Sequence, residues 1–186
     1  MSVTKLGQRT TKLILCGLFS ALIAMGAFIK IPVPVVPFTL QFLFTALAGL
    51  LLGPRWGALS VAVYIAIGLI GIPVFTNGGG ISYIIQPTFG YLLGFCAGTY
   101  ATGSIAAVYS LPSLRKLLAA NFVGLLLVYS IGMIYYYCIS KYYINQPIGF
   151  YSLILYCFLL PLPGDIAICY LSAHLGTRLI PIFNKK

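Results

Sequence analysis

Long runs of apolar residues, cut by prolines and glycines rather than by polar linkers, constrain this chain more than any other feature. The first occupies residues 13–29 and carries no charge. A helix needs about 20 such residues to cross a hydrocarbon layer. Lys5, Arg9 and Lys12 precede this run and Ala24-Met25-Gly26 lies near its end, which is also the layout of a secretory leader. The length of the run and the apolar stretches that follow favour a first transmembrane helix. The chain is 61% hydrophobic and 6% charged, against about 25% charged in soluble domains. So few charges cannot coat a water-facing surface. The expectation is an all-α, polytopic membrane protein forming one domain over residues 1–186.

Punctuation along the chain sets the expected spans. Pro32, Pro34 and Pro37 exclude a helix and favour an extended path. A short second helix is expected at 39–52, a tight turn at Gly53-Pro54-Arg55-Trp56, and a third helix at 57–70. The fourth is expected at 88–109, the fifth at 117–140, and a sixth at 150–179, broken by Pro161-Leu162-Pro163-Gly164. Helices two and six are thus short or broken. Six spans place both termini on one side, together with Lys5, Arg9, Lys12, Arg55, Arg115, Lys116, Arg178, Lys185 and Lys186. Only Lys30 and Lys141 fall on the other side. This bias puts the termini in the cytoplasm of a plasma-membrane protein. The net charge of +10 is scattered rather than striped, so it does not indicate nucleic acid.

Residues 71–95, GIPVFTNGGGISYIIQPTFGYLLGF, interrupt the apolar pattern. Gly71 and Pro73 stop one helix and Pro87 suits the first turn of the next. Between them, Asn77 and three glycines leave bare backbone. In so apolar a chain that is costly unless it lines a cavity or is buried in protein, so the stretch reads either as a binding site or as an exposed connection. Three adjacent glycines also suggest a mobile lid. The stretch lacks the Lys-Ser/Thr ending of a phosphate loop. Thr88-Phe89-Gly90-Tyr91 is only faintly like a potassium filter, and the apolar helix continues through Leu92.

Asp165 is the one acidic residue. A carboxylate at membrane depth is a functional candidate by default, and it could also cap a helix restarting after Gly164. With no second carboxylate and one histidine, His174, an acid–base pair or a metal cluster is not expected, and neither enzyme chemistry nor a cofactor is. Cys16, Cys96, Cys138, Cys157 and Cys169 lie in apolar runs without metal-site spacing. Gly17 with Ala21, and Ser20 with Ala24, are spaced to give a smooth face for close helix contact.

VPFTLQ, AGLLLGPRWGALSVAVYIAIGLIGIPVF, the loop running into QPTFGYLLGF, and the late PGD together resemble the BioY family, the biotin-binding S-components of energy-coupling-factor (ECF) transporters. The likeness covers residues 13–176, and PTxGYLLGF and LLGPRxG are specific motifs. It implies a six-helix protein that captures biotin from outside, with a T-component and two ATPase subunits driving uptake. On that reading Asn77 suits a ureido ring, Asp165 accepts its N–H groups, and Tyr83 supplies a flat face with a polar tip. Gly79, Gln41 and Gln86 complete the candidate site. Gly17, Ala21 and Ala24 resemble the family's contact surface for the T-component. The family carries a lysine three residues after the aspartate, where this chain has Ile168. A biotin precursor or lipoate is the alternative ligand. A ligand-free structural subunit and a small channel are the alternatives of other kinds.

Overall fold

The computed structural model describes residues 3–32, 35–108 and 113–183; Pro34, Tyr109, Lys185 and Lys186 of the sequence reading lie outside them. The described chain is mostly helical. Helix α1 (Val3–Phe28) leads into strands β1 (Lys30–Ile31) and β2 (Phe38–Thr39), then helix α2 (Gln41–Leu69). A 3-10 turn (Ile81–Ile85) precedes α3 (Phe89–Ala107). Helix α4 (Leu114–Cys138) runs into a π-turn (Ile139–Tyr143). Helix α5 (Phe150–Ile154), a second π-turn (Leu155–Leu159) and α6 (Leu162–Phe183) complete it. Four helical stretches, Arg9–Phe28, Gln41–Leu69, Leu114–Tyr143 and Phe150–Phe183, are long and apolar enough to cross a membrane.

The described ends of the proline-rich segment pair, Lys30 opposite Thr39 and Ile31 opposite Phe38, antiparallel. Between them the chain bends at Val35 with φ 77°, so the expected extended path holds only at the paired ends. The expected turn after residue 52 is tighter than four residues. The chain reverses at Gly53 alone, with φ 80° and ψ 179°, a conformation open to glycine, and Pro54 restarts the helix. The two halves of α2 fold back on each other. A Cβ at Gly57 would stand 2.8 Å from the Ala48 carbonyl oxygen. The Gln41 amide donates to the Tyr64 hydroxyl at 2.8 Å across the pair.

Helix α3 sits between α2 and α4 with almost no side chain in the gap. A Cβ on Gly49 would meet the Thr99 carbonyl at 2.7 Å, and one on Gly98 the Gly124 carbonyl at 2.7 Å. Such backbone-to-backbone approach is what small residues permit where lipid offers no hydrophobic drive. Thr99 donates to the Thr45 carbonyl (3.2 Å) and Thr102 to the Ala120 carbonyl (3.2 Å) across the same contacts. Asn121 is fully buried on α4 and donates to the Cys169 carbonyl (3.1 Å) and Ser172 Oγ (2.8 Å) of α6.

The break in the last span lies earlier than the sequence suggests. The π-turn comes before Pro161, and α6 already begins at Leu162. Proline and glycine are tolerated there because first-turn amides have no helical partner to lose. Asp165 is therefore not an N-cap; it lies in the first turn of α6, its amide bonded to the Pro161 carbonyl at 3.1 Å. His174 lies within α6, stacked against Tyr170. Cys16, Cys157 and Cys169 pack in the interior, while Cys138 is exposed.

The α3–α4 contact predicts an asymmetry among glycines. Gly98→Ala should destabilise the protein by about 1–3 kcal/mol through overpacking. Gly17→Ala, with nothing within 4 Å of the new methyl, should be neutral. Thermal unfolding of both variants in detergent checks this.

Candidate binding site

A cavity opens where six parts of the chain converge. The β1–β2 hairpin contributes Val36 to Thr39, and the glycine-rich loop contributes Thr76, Asn77 and Tyr83. The start of α2 supplies Gln41 and Phe42, and the start of α3 supplies Thr88, Tyr91, Leu92 and Phe95. Leu125, Val128 and Tyr129 come from α4, and Pro161 and Asp165 from the α6 start. Mostly apolar walls with a few convergent polar groups are what a small-molecule pocket requires.

Asp165 reaches this cavity from the first turn of α6. The Tyr129 hydroxyl donates to its Oδ2 at 2.5 Å. A carboxylate accepts several hydrogen bonds, so Oδ1 and the remaining lone pair of Oδ2 stay open to a donor from a ligand. Tyr129 packs edge-on against Tyr91 (6.4 Å between centroids) and Phe158 (5.0 Å), which fixes its ring. The Tyr91 hydroxyl donates to the Cys157 carbonyl at 2.8 Å. That carbonyl lies in the π-turn, where backbone groups lose their regular helical partners.

Gln41 is already engaged. Its amide donates to Tyr64, and its Oε1 accepts from the Thr39 hydroxyl at 3.3 Å. It can offer one further N–H to a ligand. Asn77 stands on the rim, exposed. Tyr83 is buried, its ring tilted against Phe75 at 4.5 Å between centroids. Burial pushes its phenol above the ordinary range, so it remains protonated and a donor. Thr88 Oγ1 is buried in the wall close to the Tyr83 hydroxyl, and their contact offsets part of the rise that burial imposes on that phenol.

The loop around Asn77 is seated rather than loose. Gly80 donates its amide to the Gly68 carbonyl at 2.7 Å, and Phe75 and Gly78 exchange backbone bonds at 2.9 and 3.2 Å. A side chain at Gly79 would collide with the Ile72 carbonyl. The glycine run is thus anchored to the end of α2.

Of the six candidate residues, Asn77, Tyr83, Asp165 and Gln41 line the cavity together. Gly79 lies behind the wall, where it allows the close approach just described. Gln86 is half-buried outside the wall, its carbonyl accepting from the Phe89 amide at 2.9 Å. Sequence reasoning missed Tyr129, Thr88 and Thr39. The available signal for Tyr129 was a polar side chain in the middle of an apolar span. Ile168 is buried in the core and does not reach the cavity. On α1, Gly17 and Ala21 are exposed and Ala24 is half-buried. Among the described residues no group of His, Cys, Asp or Glu is arranged to hold a metal.

The family model for the BioY family matches residues 1–185. The chain belongs to the BioY family. It is 43% identical over 177 residues to the probable biotin transporter BioY of Lysinibacillus sphaericus, covering 95% of this chain and 90% of the relative. It is 42% identical to the biotin transporter BioY of Thermotoga maritima, over 66% of this chain and 72% of that one. Among solved structures it matches the S-component for biotin from an ECF-type ABC transporter, with a TM-score of 0.81 and 28% identity. That match covers 96% of this chain and 94% of the other.

The Tyr129–Asp165 bond predicts measurable coupling. Tyr129→Phe should lower stability of the ligand-free protein by about 1–3 kcal/mol, since it strips a donor from a carboxylate in an apolar wall. In a double-mutant cycle with Asp165→Asn the two losses should be non-additive by at least about 0.5 kcal/mol. Additive unfolding free energies would show that the two side chains act separately.

Proposed function

We propose that the protein binds biotin from outside the cell and delivers it across the plasma membrane as the substrate-capture component of an ECF transporter. The observation that carries this reading is the meeting of Asn77, Tyr83 and Asp165 in one cavity of a BioY-family chain. A ureido ring presents two N–H donors and a carbonyl. Asp165 suits the donors, the Asn77 amide suits either, and the Tyr83 ring offers a flat apolar face. Asp165 has no base or second acid beside it in the wall, and the relatives are named as transporters, so the reading is a transport subunit rather than an enzyme.

The reading extends to the assembly. One membrane-embedded domain of residues 1–186 spans the bilayer six times, counting the two halves of α2 separately. Its termini lie in the cytoplasm, as the distribution of Lys and Arg supports. A T-component and two ATPase subunits supply the energy, and Gly17, Ala21 and Ala24 of α1 form the face the T-component contacts. The exposure of Gly17 and Ala21 supports that assignment.

Native mass spectrometry of the purified protein should find biotin's mass bound. Asn77→Ala and Asp165→Ala should each weaken biotin binding by about tenfold or more. A bound mass of a biotin precursor or lipoate would redirect the substrate, and full affinity in both variants would reject the site. Gly17→Leu combined with Ala21→Leu should abolish complex formation with the T-component and ATPases while leaving biotin affinity intact. Assembly at wild-type yield would remove α1 from that interface.

A further inference from the structure

The cavity has an electrostatic gap. Among the described residues its wall contains one carboxylate, Asp165, and no lysine, arginine or histidine. A ligand that brings its own carboxylate would be repelled from the Asp165 end, since like charges interact strongly where water is scarce. It needs a cation elsewhere. The sequence reading leaves two lysines on the outer side, Lys30 and Lys141. Lys141 is turned onto the aromatic end of α4, bonded to the Tyr137 hydroxyl at 3.1 Å and 5.3 Å from the Tyr142 ring centroid.

Lys30 is placed differently. It pairs with Thr39 across the hairpin, so the two side chains stand on the same face, and Thr39 lines the cavity. Its ammonium donates to the Thr76 carbonyl at 2.9 Å, and Thr76 also lines the cavity, next to Asn77. The long side chain thus crosses from one outer segment of the wall to the other. An ammonium has three donors, and the Thr76 carbonyl takes one.

We infer that Lys30 is a specificity-determining residue whose ammonium, held at the mouth by Thr76, receives the carboxylate of the bound ligand. The inference rests on the biotin reading and adds the ligand's orientation: ureido ring against Asp165, acid tail toward Lys30 at the mouth. A second consequence concerns selection. An uncharged amide of the same molecule fills the same walls but gains nothing from Lys30.

The test compares biotin with biotin amide on the full-length protein, wild type and variants, by calorimetry in detergent. Wild type should prefer biotin by about tenfold, the worth of a charge-assisted bond at a partly solvated site. That preference should shrink as salt is raised. Lys30→Met should erase it and Lys30→Arg should restore most of it. The ratio of the two affinities is the readout because loss of the Thr76 anchor alone would weaken both ligands together. An unchanged ratio in Lys30→Met overturns the inference and places the carboxylate elsewhere, with the start of α3 at Thr88 the next position to examine. Equal binding of both ligands by wild type overturns it as well, while leaving biotin capture in place. Failure of wild type to bind either ligand removes the biotin reading, and this inference with it.

Discussion

The site depends on how closely α3 can approach its neighbours. Gly49 lets α3 rest on the first half of α2, and Gly94, Gly98 and Gly124 let it rest on α4. In a lipid setting there is no gain from hiding one apolar side chain behind another, so dense backbone contact and the hydrogen bonds that cross it carry the association. The consequence reaches beyond stability. The start of α3 carries Thr88 and Tyr91, and α4 carries Tyr129, so the depth of the α3–α4 contact sets the width of the cavity between them. A side chain inserted at Gly98 would spread both walls.

Polar side chains in this interior fall into two groups, and the division separates framework from site. Ser20, Ser60, Thr45, Thr99, Thr102 and Ser172 each donate to a backbone carbonyl, on their own helix or across a helix pair. They satisfy the backbone and have their hydroxyl hydrogens committed. Asp165 is different, since its Oδ1 keeps acceptor capacity facing the cavity, with Asn77 on the rim of the same space. Asn121 belongs with the framework by position, clamping α4 to α6, although its Oδ1 is buried without a partner among the described residues.

Much of this was legible in the amino-acid order, for physical reasons that can be named. Prolines at 32 and 37 do forbid helix, and the described ends of the segment pair as short strands. Asp165 stands out because a charge in an apolar run requires a reason. Asn77 and Tyr83 stand out because bare backbone between spans must be covered by something. The reversal at Gly53 was visible, but its sharpness was not, because one glycine with positive φ and a four-residue turn share the same letters. The π-turn before Pro161 left no compositional mark. Tyr129 hid among aliphatic residues because a tyrosine in a membrane helix reads equally as an interfacial anchor. The pairing of Lys30 with Thr39 depends on hairpin register, and a segment rich in proline offers no alternation from which to read it.

One contact has a mechanical meaning. The Phe75 ring enters the slot left by the missing side chain of Gly68, touching Tyr64 edge-on and Tyr83 on its other side. The ring is almost wholly enclosed, at 1% exposure. A plug of this shape does not yield by degrees, because a tightly packed ring withdrawn part-way loses its contacts without gaining room to settle. Phe75 thus fastens the glycine-rich loop to the end of α2, and Tyr83 of the cavity wall leans on a ring that lies outside that wall.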